Sequence, residues 1–154
     1  MAKKLTPSEA KQKIYRYCAY QERCHKEVKN KLYEYGLFRN DVEELISELI
    51  TDGFLNEERY AKAFAGGKFR IKQWGRIKII NELESKGLTN NCIKSGLKEI
   101  EEDVYEQTLT SLLEKKSSTI VEDNAFIKRD KLAKYAIQKG FEPELVWTTI
   151  KVKF

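Results

Sequence analysis

Three glycines spaced about fifty residues apart constrain the fold of this chain more than any other feature. Gly36, Gly87 and Gly140 are separated by 51 and 53 residues, and each has an apolar residue four positions before it and another directly after it. A glycine just past a helix end takes the left-handed backbone conformation without the steric cost of a Cβ atom. The sequence therefore predicts three equivalent helix ends, and with them a repeated helical unit.

Apolar positions around these glycines recur at matching offsets in the three units. The recurring positions are Val28, Ile79 and Leu132 upstream, and Val42, Ile93 and Val146 downstream. In the first unit the downstream residues continue as a stripe with helical periodicity through residue 50. Agreement at several positions over three units indicates stacked helical repeats rather than coincidence.

Helix start signals divide each unit into three helices. Thr6, Pro7 and Glu9 form a capping box, and Asn40, with Glu43 at N3, and Asn56 stand where further helices are expected to begin. The predicted helices are 7–22, 25–35, 41–52, 57–72, 76–86, 90–100, 102–116, 124–139 and 143–152, with one long loop at 116–123. We therefore expect an all-α chain of three tandem three-helix repeats, at 1–53, 54–100 and 101–154, in one continuous repeat domain.

Composition excludes several other classes. Only 8 Gly and 2 Pro occur in 154 residues, too few for a turn-rich β-sandwich, and no apolar run approaches the length of a membrane span. The opening residues 1–7 are basic and lack the apolar core of a secretory signal. Three cysteines without CxxC spacing fit reduced thiols. We expect a cytoplasmic protein that does not contact a membrane.

Charge alternates along the chain. The net charge is +5, and it is distributed as +6 over 1–40, −5 over 41–65, +4 over 66–86, −4 over 87–127 and +4 over 128–154. Such blocks are typical of solvated helical surfaces. Their alternation also suggests a repeated unit with one basic and one acidic end, and aligned basic ends would suit a nucleic acid.

The basic block at residues 68–78 is the strongest candidate for a functional surface, because five cations there are interleaved with Phe69 and Trp74. Cations give salt-dependent phosphate binding, and an exposed aromatic ring can stack on a base. Alternatively, Phe69, Ile71 and Trp74 belong to the core, or Trp74 to an interface, and the cations only line the outside. Gly66 and Gly67 precede the block, where either the helix bends or another backbone comes close.

A second basic cluster lies in the third unit. By the repeat offsets, its Arg129 corresponds to Arg76 and to His25, so a row of cations along one edge is expected. The candidate binding residues are Lys68, Arg70, Lys72, Trp74, Arg76, Lys78, Lys128, Arg129, Lys131 and Lys134.

Motifs for catalysis or metal binding are absent from the sequence. His25 is the only histidine, Cys24 beside it matches no common metal-ligand spacing, and His25 is interpreted as a helix-start residue. No Walker, GxGxxG, HExxH or GxSxG motif occurs. We therefore expect a protein that is not an enzyme and needs no cofactor or metal.

The order of these motifs resembles the RecX family of bacterial recombinase regulators over nearly the whole chain. The most specific similarity is at residues 52–64 (DGFLNEERYAKAF), followed by 74–77 (WGRI) and 82–88 (ELESKGL). Residues 21–32 (QERCHKEVKNKL) resemble the opening family pattern, although Gln21 stands where Arg is usual and Cys24 where Ser is usual. The serine is a helix cap, so a weaker cap is expected at Cys24.

The resemblance implies an elongated, curved array of repeats that binds a RecA-type recombinase filament on single-stranded DNA, as part of DNA repair and the SOS response. It implies inhibition of the recombinase, ATPase and coprotease activities. The charge pattern, for its part, predicts that the ten candidate residues contact DNA or recombinase. We expect a monomer. Two alternatives stay open: a stand-alone nucleic-acid-binding module, and a helical adaptor that uses its acidic and basic ends only on proteins. If the basic surface is not the site, the acidic faces around Glu43 or Glu101 are the expected contacts to a protein partner.

Overall fold

The computed structural model describes residues 4–154 and is helical throughout. Residues 1–3, part of the opening stretch considered above, lie outside the described residues. Between residues 4 and 154 there are nine α-helices, one π-helical segment and no strand. The helices are α1 (Pro7–Tyr20), α2 (His25–Glu34), α3 (Arg39–Thr51), α4 (Glu57–Gly67), α5 (Arg76–Ser85), α6 (Asn90–Leu97), α7 (Glu102–Ser117), α8 (Ala125–Gln138) and α9 (Pro143–Lys153), with the π-helical segment at Lys68–Lys72. The prediction of an all-α chain with three helices per repeat is confirmed.

The repeated helix ends are also confirmed. Gly36, Gly87 and Gly140 have φ angles of 90°, 81° and 101°. In each case the residue after the glycine donates its backbone N–H to the carbonyl four residues before the glycine, as Leu88 does to Leu83 at 3.2 Å. This bond closes the end of the helix and turns the chain toward the next one.

Helix starts agree with the sequence at most positions. Thr6 and Glu9 form the predicted capping box, and Asn56 caps α4 by accepting the Arg59 N–H at 2.9 Å. The predicted start at Asn40 was wrong, since α3 begins at Arg39 after the extended residue Phe38. Asp41 then supplies the negative charge in the first turn that favours a helix N-terminus.

The helix predicted over 57–72 changes geometry partway. It is α-helical to Gly67 and then widens into the π-helical segment, which ends at Gln73 with a left-handed φ of 56°. No other backbone comes close at the glycine pair: the site that a Cβ on Gly66 would occupy is filled by the guanidinium of Arg70, 2.7 Å away. A segment of this kind shifts the register of the side chains that follow it.

The described residues form two compact units. The first contains Leu83–Gly96 and the described residues up to Ala63, and the second contains Phe64–Glu82 and Leu97–Phe154. The middle helices α4 to α6 are therefore shared between the units. The first unit is built on a buried cluster that includes Ile14, Leu32 and Leu49.

The core of the second unit is aromatic at one end. Tyr105 is fully buried, and its ring centroid lies 5.7 Å from Phe69 and 5.0 Å from Phe141. Because Phe69 belongs to the π-helical segment, this stack fixes the segment to α7. The cations that alternate with Phe69 in sequence are thereby held at the surface of the second unit.

Candidate nucleic-acid interface

Trp74 lies at the centre of a basic surface on the second unit. The Nζ atoms of Lys68 and Lys78 lie 5.0 and 4.6 Å from its ring centroid, within the range of a cation–π interaction. The ring of Phe64 meets Trp74 edge to face at 6.2 Å. Trp74 is half-buried, so its ring packs on the unit and also reaches the surface.

The π-helical segment brings the residues of this surface together. The N–H of Trp74 donates to the Lys68 carbonyl at 3.3 Å, which brings Lys68 and Trp74 together across the wide turn. Arg70 and Lys72 are exposed on the same segment. Four of the five predicted cations of residues 68–78 thus lie at the surface of one unit, with Trp74 among them.

Gly75 lets the start of α5 touch the end of α8. Its N–H donates to the carbonyl of Lys139 at 2.7 Å, and the N–H of Ile77 donates to the carbonyl of Gly140 at 2.9 Å. A Cβ on Gly75 would lie 2.2 Å from the backbone of Gly140, so only glycine fits. This contact explains the glycine beside Trp74, for which the sequence offered no reason.

The same contact brings Lys139 to the basic surface, although Lys139 was not among the predicted site residues. Burial, together with the nearby charge of Lys78, lowers the pKa of Lys139. The only sequence signal was its position just before a helix-ending glycine. That position matches Lys86 in the second repeat and does not by itself indicate binding.

Arg76 has a different environment from its neighbours. Its guanidinium binds Glu142 at 2.8 Å and also pairs with Glu102, and its backbone N–H donates to the hydroxyl of Tyr105 at 2.9 Å. Burial lowers the pKa of Arg76, but the hydrogen bonds to Glu142 and Glu102 outweigh it and the pKa is raised. Only 20% of the Arg76 side chain is exposed. Its charge is therefore balanced inside the protein.

The predicted cluster of the third repeat lies along α8, where no residue of the cluster is fully buried. Lys131 pairs with Glu122 at 3.6 Å, and Arg129 donates to the carbonyl of Phe154 at 3.3 Å. Lys134 is exposed and Lys128 is half-buried. A phosphate would compete with an internal partner at Lys131 and Arg129.

The predicted row of cations assumed that His25, Arg76 and Arg129 occupy equivalent positions in their repeats, and in the structure Arg129 does not. His25 and Arg76 are the first residues of α2 and α5, whereas α8 begins four residues before Arg129. The His25 backbone N–H donates to Glu57 at 3.0 Å, in line with a helix-start role. The row itself stays a prediction.

The groups gathered at this site are cations and aromatic rings. In the described part of the chain, no group of three His, Cys, Asp or Glu side chains is arranged to hold a metal ion. Nor is any helix of that part long and apolar enough to cross a membrane. What the second unit does present is ammonium groups around an aromatic ring, an arrangement that suits phosphates and bases.

These features define the class of the protein: an all-helical repeat protein with a basic, aromatic surface. A family model described as "RecX, second three-helix domain" matches residues 56–97, which contain α4 to α6. The chain is 27% identical over 130 residues to the regulatory protein RecX of Bacillus cytotoxicus, covering 84% of this chain and 48% of that protein. It is 25% identical over 134 residues to the regulatory protein RecX of Prosthecochloris aestuarii, covering 87% and 86%. The chain is therefore similar to regulatory proteins of the RecX family over most of its length.

Two solved structures show the same fold. The crystal structure of RecX from Lactobacillus salivarius superposes with a TM-score of 0.85 at 24% identity, covering 95% of both chains. A second crystal structure of a regulatory protein RecX also gives 0.85, at 20% identity, covering 96% of this chain and 72% of that one. The chain spans about half the length of the Bacillus relatives it matches.

Proposed function

We propose that this chain is a cytoplasmic regulatory protein that binds a RecA-type recombinase filament on single-stranded DNA. In this proposal it inhibits the recombinase, ATPase and coprotease activities of the filament and performs no catalysis of its own. It acts as a monomer, without a cofactor and away from membranes. The observation that carries the proposal is Trp74, which lies between Lys68 and Lys78 on the surface of the second unit.

The charges around Trp74 are free to meet a polyanion. Within residues 4–154, no carboxylate forms an ion pair with Lys68, Arg70, Lys72 or Lys78. Lys139 adds a fifth positive charge close to Lys78. Repulsion among unpaired cations costs stability, and a phosphate backbone would relieve it while releasing its own counterions.

Similarity to regulatory proteins of the RecX family supports the choice of partner. A filament on single-stranded DNA presents phosphates and protein along the same path. A basic surface with a stacking ring can hold the strand while the neighbouring helices contact the recombinase. Occupying that path would impede filament extension, and DNA-dependent ATP hydrolysis would fall with it.

The test is the DNA-dependent ATPase of the cognate recombinase with this protein titrated in. We expect the parent protein to inhibit, and the triple variant Lys68→Ala, Arg70→Ala, Lys72→Ala to inhibit much less. On a single strand each lost phosphate contact should reduce the slope of log K against log salt by about 0.7, so the triple variant should lose about two units. Arg76 is left intact because its charge is balanced internally.

The matched control replaces three exposed lysines elsewhere, Lys94, Lys98 and Lys115, with alanine. It removes the same net charge and should inhibit like the parent, with an unchanged salt slope. If the two triple variants behave alike, the surface around Trp74 does not bind the filament. If the parent protein leaves the recombinase unaffected, the proposed function itself is wrong.

A further inference from the structure

A second aromatic ring of the second unit lies between two lysines in the manner of Trp74. The Nζ atoms of Lys116 and Lys139 lie 4.9 and 5.9 Å from the ring centroid of Tyr135. Lys116 comes from α7, whereas Tyr135 is in α8 and Lys139 directly follows that helix. No sequence pattern indicates this group, because its members come from two helices separated by the loop at 118–124.

The two lysine–aromatic–lysine groups are joined. The segment of Lys139 packs on Lys78, since a Cβ on Gly140, directly after Lys139, would lie 2.4 Å from the Cβ of Lys78. Burial and then the charge of Lys78 lower the pKa of Lys139. The backbones are in contact as well, since the Gly75 N–H donates to the Lys139 carbonyl at 2.7 Å. A continuous path therefore runs from Trp74 through Lys78 and Lys139 to Tyr135, all within one compact unit.

The side chains of this path are built to present charge. Lys78, Lys116 and Lys139 are half-buried, so each side chain is partly covered by the protein and partly open to water. No carboxylate of the described residues 4–154 pairs with any of the three. By contrast, Arg76 nearby pairs with two carboxylates. The protein thus balances one cation of this region and leaves the lysines beside the rings unbalanced.

We propose that Lys116, Tyr135 and Lys139 form a second binding position for single-stranded DNA, continuous with the position at Trp74. One base stacks on Tyr135 and another on Trp74, and the lysines move from the rings to the intervening phosphates. This inference rests on the proposed function, and it adds a second position to the path that the single-stranded DNA follows.

The arrangement favours a single strand over a duplex. Bases in a duplex are stacked on each other and turn only their edges outward, whereas bases of a single strand can each leave the stack and lie on a ring. Two rings joined by lysines match a chain in which bases alternate with phosphates. A surface for duplex phosphates alone would need the cations without the rings.

The test measures binding of the full chain to a single-stranded oligothymidine across a series of salt concentrations. For the double variant Lys116→Gln, Lys139→Gln we expect the salt slope to fall by about 1.4, twice the change of about 0.7 per contact. The matched control Lys98→Gln, Lys115→Gln removes the same charge from exposed positions and should keep the parent slope. Because Lys139 is desolvated and repelled by Lys78, its replacement should not lower the midpoint of urea unfolding.

Stacking is tested separately at Tyr135. Loss of one stacked base weakens binding by about 5- to 150-fold, so Tyr135→Leu should bind the oligothymidine that much less tightly, whereas Tyr135→Phe should bind like the parent. Binding to a duplex of equal length should be nearly the same for both variants. Equal binding of the single strand by Tyr135→Leu and Tyr135→Phe would overturn the stacking role.

The two proposals fail in different ways. If the variants at Lys68, Arg70 and Lys72 lose binding while those at Lys116, Tyr135 and Lys139 bind like the parent, the second position is wrong and the proposed function stands. If the parent protein binds no single-stranded DNA and does not affect the recombinase, both proposals are wrong. The second position is supported if the Lys116→Gln, Lys139→Gln variant has a lower salt slope and if Tyr135→Leu, but not Tyr135→Phe, binds the single strand more weakly.

Discussion

Arg76 carries a charge that the protein uses internally. It sits at the first position of α5, where a positive side chain is unfavourable next to the helix dipole. Glu102 and Glu142 reverse that disadvantage, and the guanidinium also lies 3.8 Å from the ring centroid of Tyr105. A planar guanidinium can satisfy two carboxylates and a ring at once, which a lysine cannot.

We expect Arg76→Gln to lower the free energy of unfolding by about 2 kcal/mol, because it removes charge-assisted hydrogen bonds and leaves the half-buried Glu142 with the Tyr105 hydroxyl in place of a charged partner. Arg70→Gln is the control on the neighbouring exposed cation and should change stability by less than about 0.5 kcal/mol. Urea melts of both variants decide the matter. Equal stabilities would show that the Arg76 ion pairs contribute nothing measurable.

The helix ends of this fold depend on glycines for two distinct reasons. At Gly87 the backbone has a φ of 81°, and nothing lies within 4 Å of the site a Cβ would occupy, so conformation alone requires glycine. At Gly75 the backbone of Gly140 fills that site, so space requires glycine. The first kind of glycine can be recognised from its place after a helical pattern, whereas the second depends on a partner 65 residues away in sequence.

Gly87→Ala should therefore destabilise the protein by about 1 kcal/mol, the cost of a Cβ in the left-handed region. Gly67→Ala is the matched control, since Gly67 has helical angles (φ −65°, ψ −48°) and also has open space around it. There alanine should stabilise the helix by up to about 1 kcal/mol. Opposite shifts of the urea midpoints are expected, and shifts of the same sign would contradict this account of the helix end.

At the scale of the whole molecule, the sequence predicts the helices well because the signals for helices are local. Apolar periodicity, caps and terminal glycines lie within a few residues of each boundary, so most predicted boundaries fall within a few residues of the structure. The glycine pair at 66 and 67 indicates that the helix can bend there, but not that it widens. The π-helical geometry depends on the packing of Phe69 on Tyr105, which is distant in sequence. The sequence indicates only the part of the proposed DNA path around Trp74. Lys139 and Tyr135 join that path through contacts between α5, α7 and α8, which are distant in sequence.

Burial of tyrosines makes the stability of the whole molecule fall at alkaline pH. Burial, the first cause in each case, raises the pKa of five of the eight tyrosines: Tyr15, Tyr17, Tyr35, Tyr60 and Tyr105. For Tyr15, burial and then the hydrogen bond to Asp52 raise the pKa to about 12. A phenol in the unfolded chain ionises near about pH 10. Above that pH the unfolded chain releases protons that the folded chain retains, so the free energy of unfolding falls as pH rises.

We expect this stabilisation to be complete below about pH 10 and to be lost as pH rises toward about 12, where Tyr15 ionises in the folded state. The five phenols should therefore ionise together with the loss of helix. Phenolate absorbance and far-UV circular dichroism, followed in one alkaline titration, measure the two events. Conversely, if most phenols ionise while the helical signal is unchanged, the rings are not buried in the way the cores of the two units require.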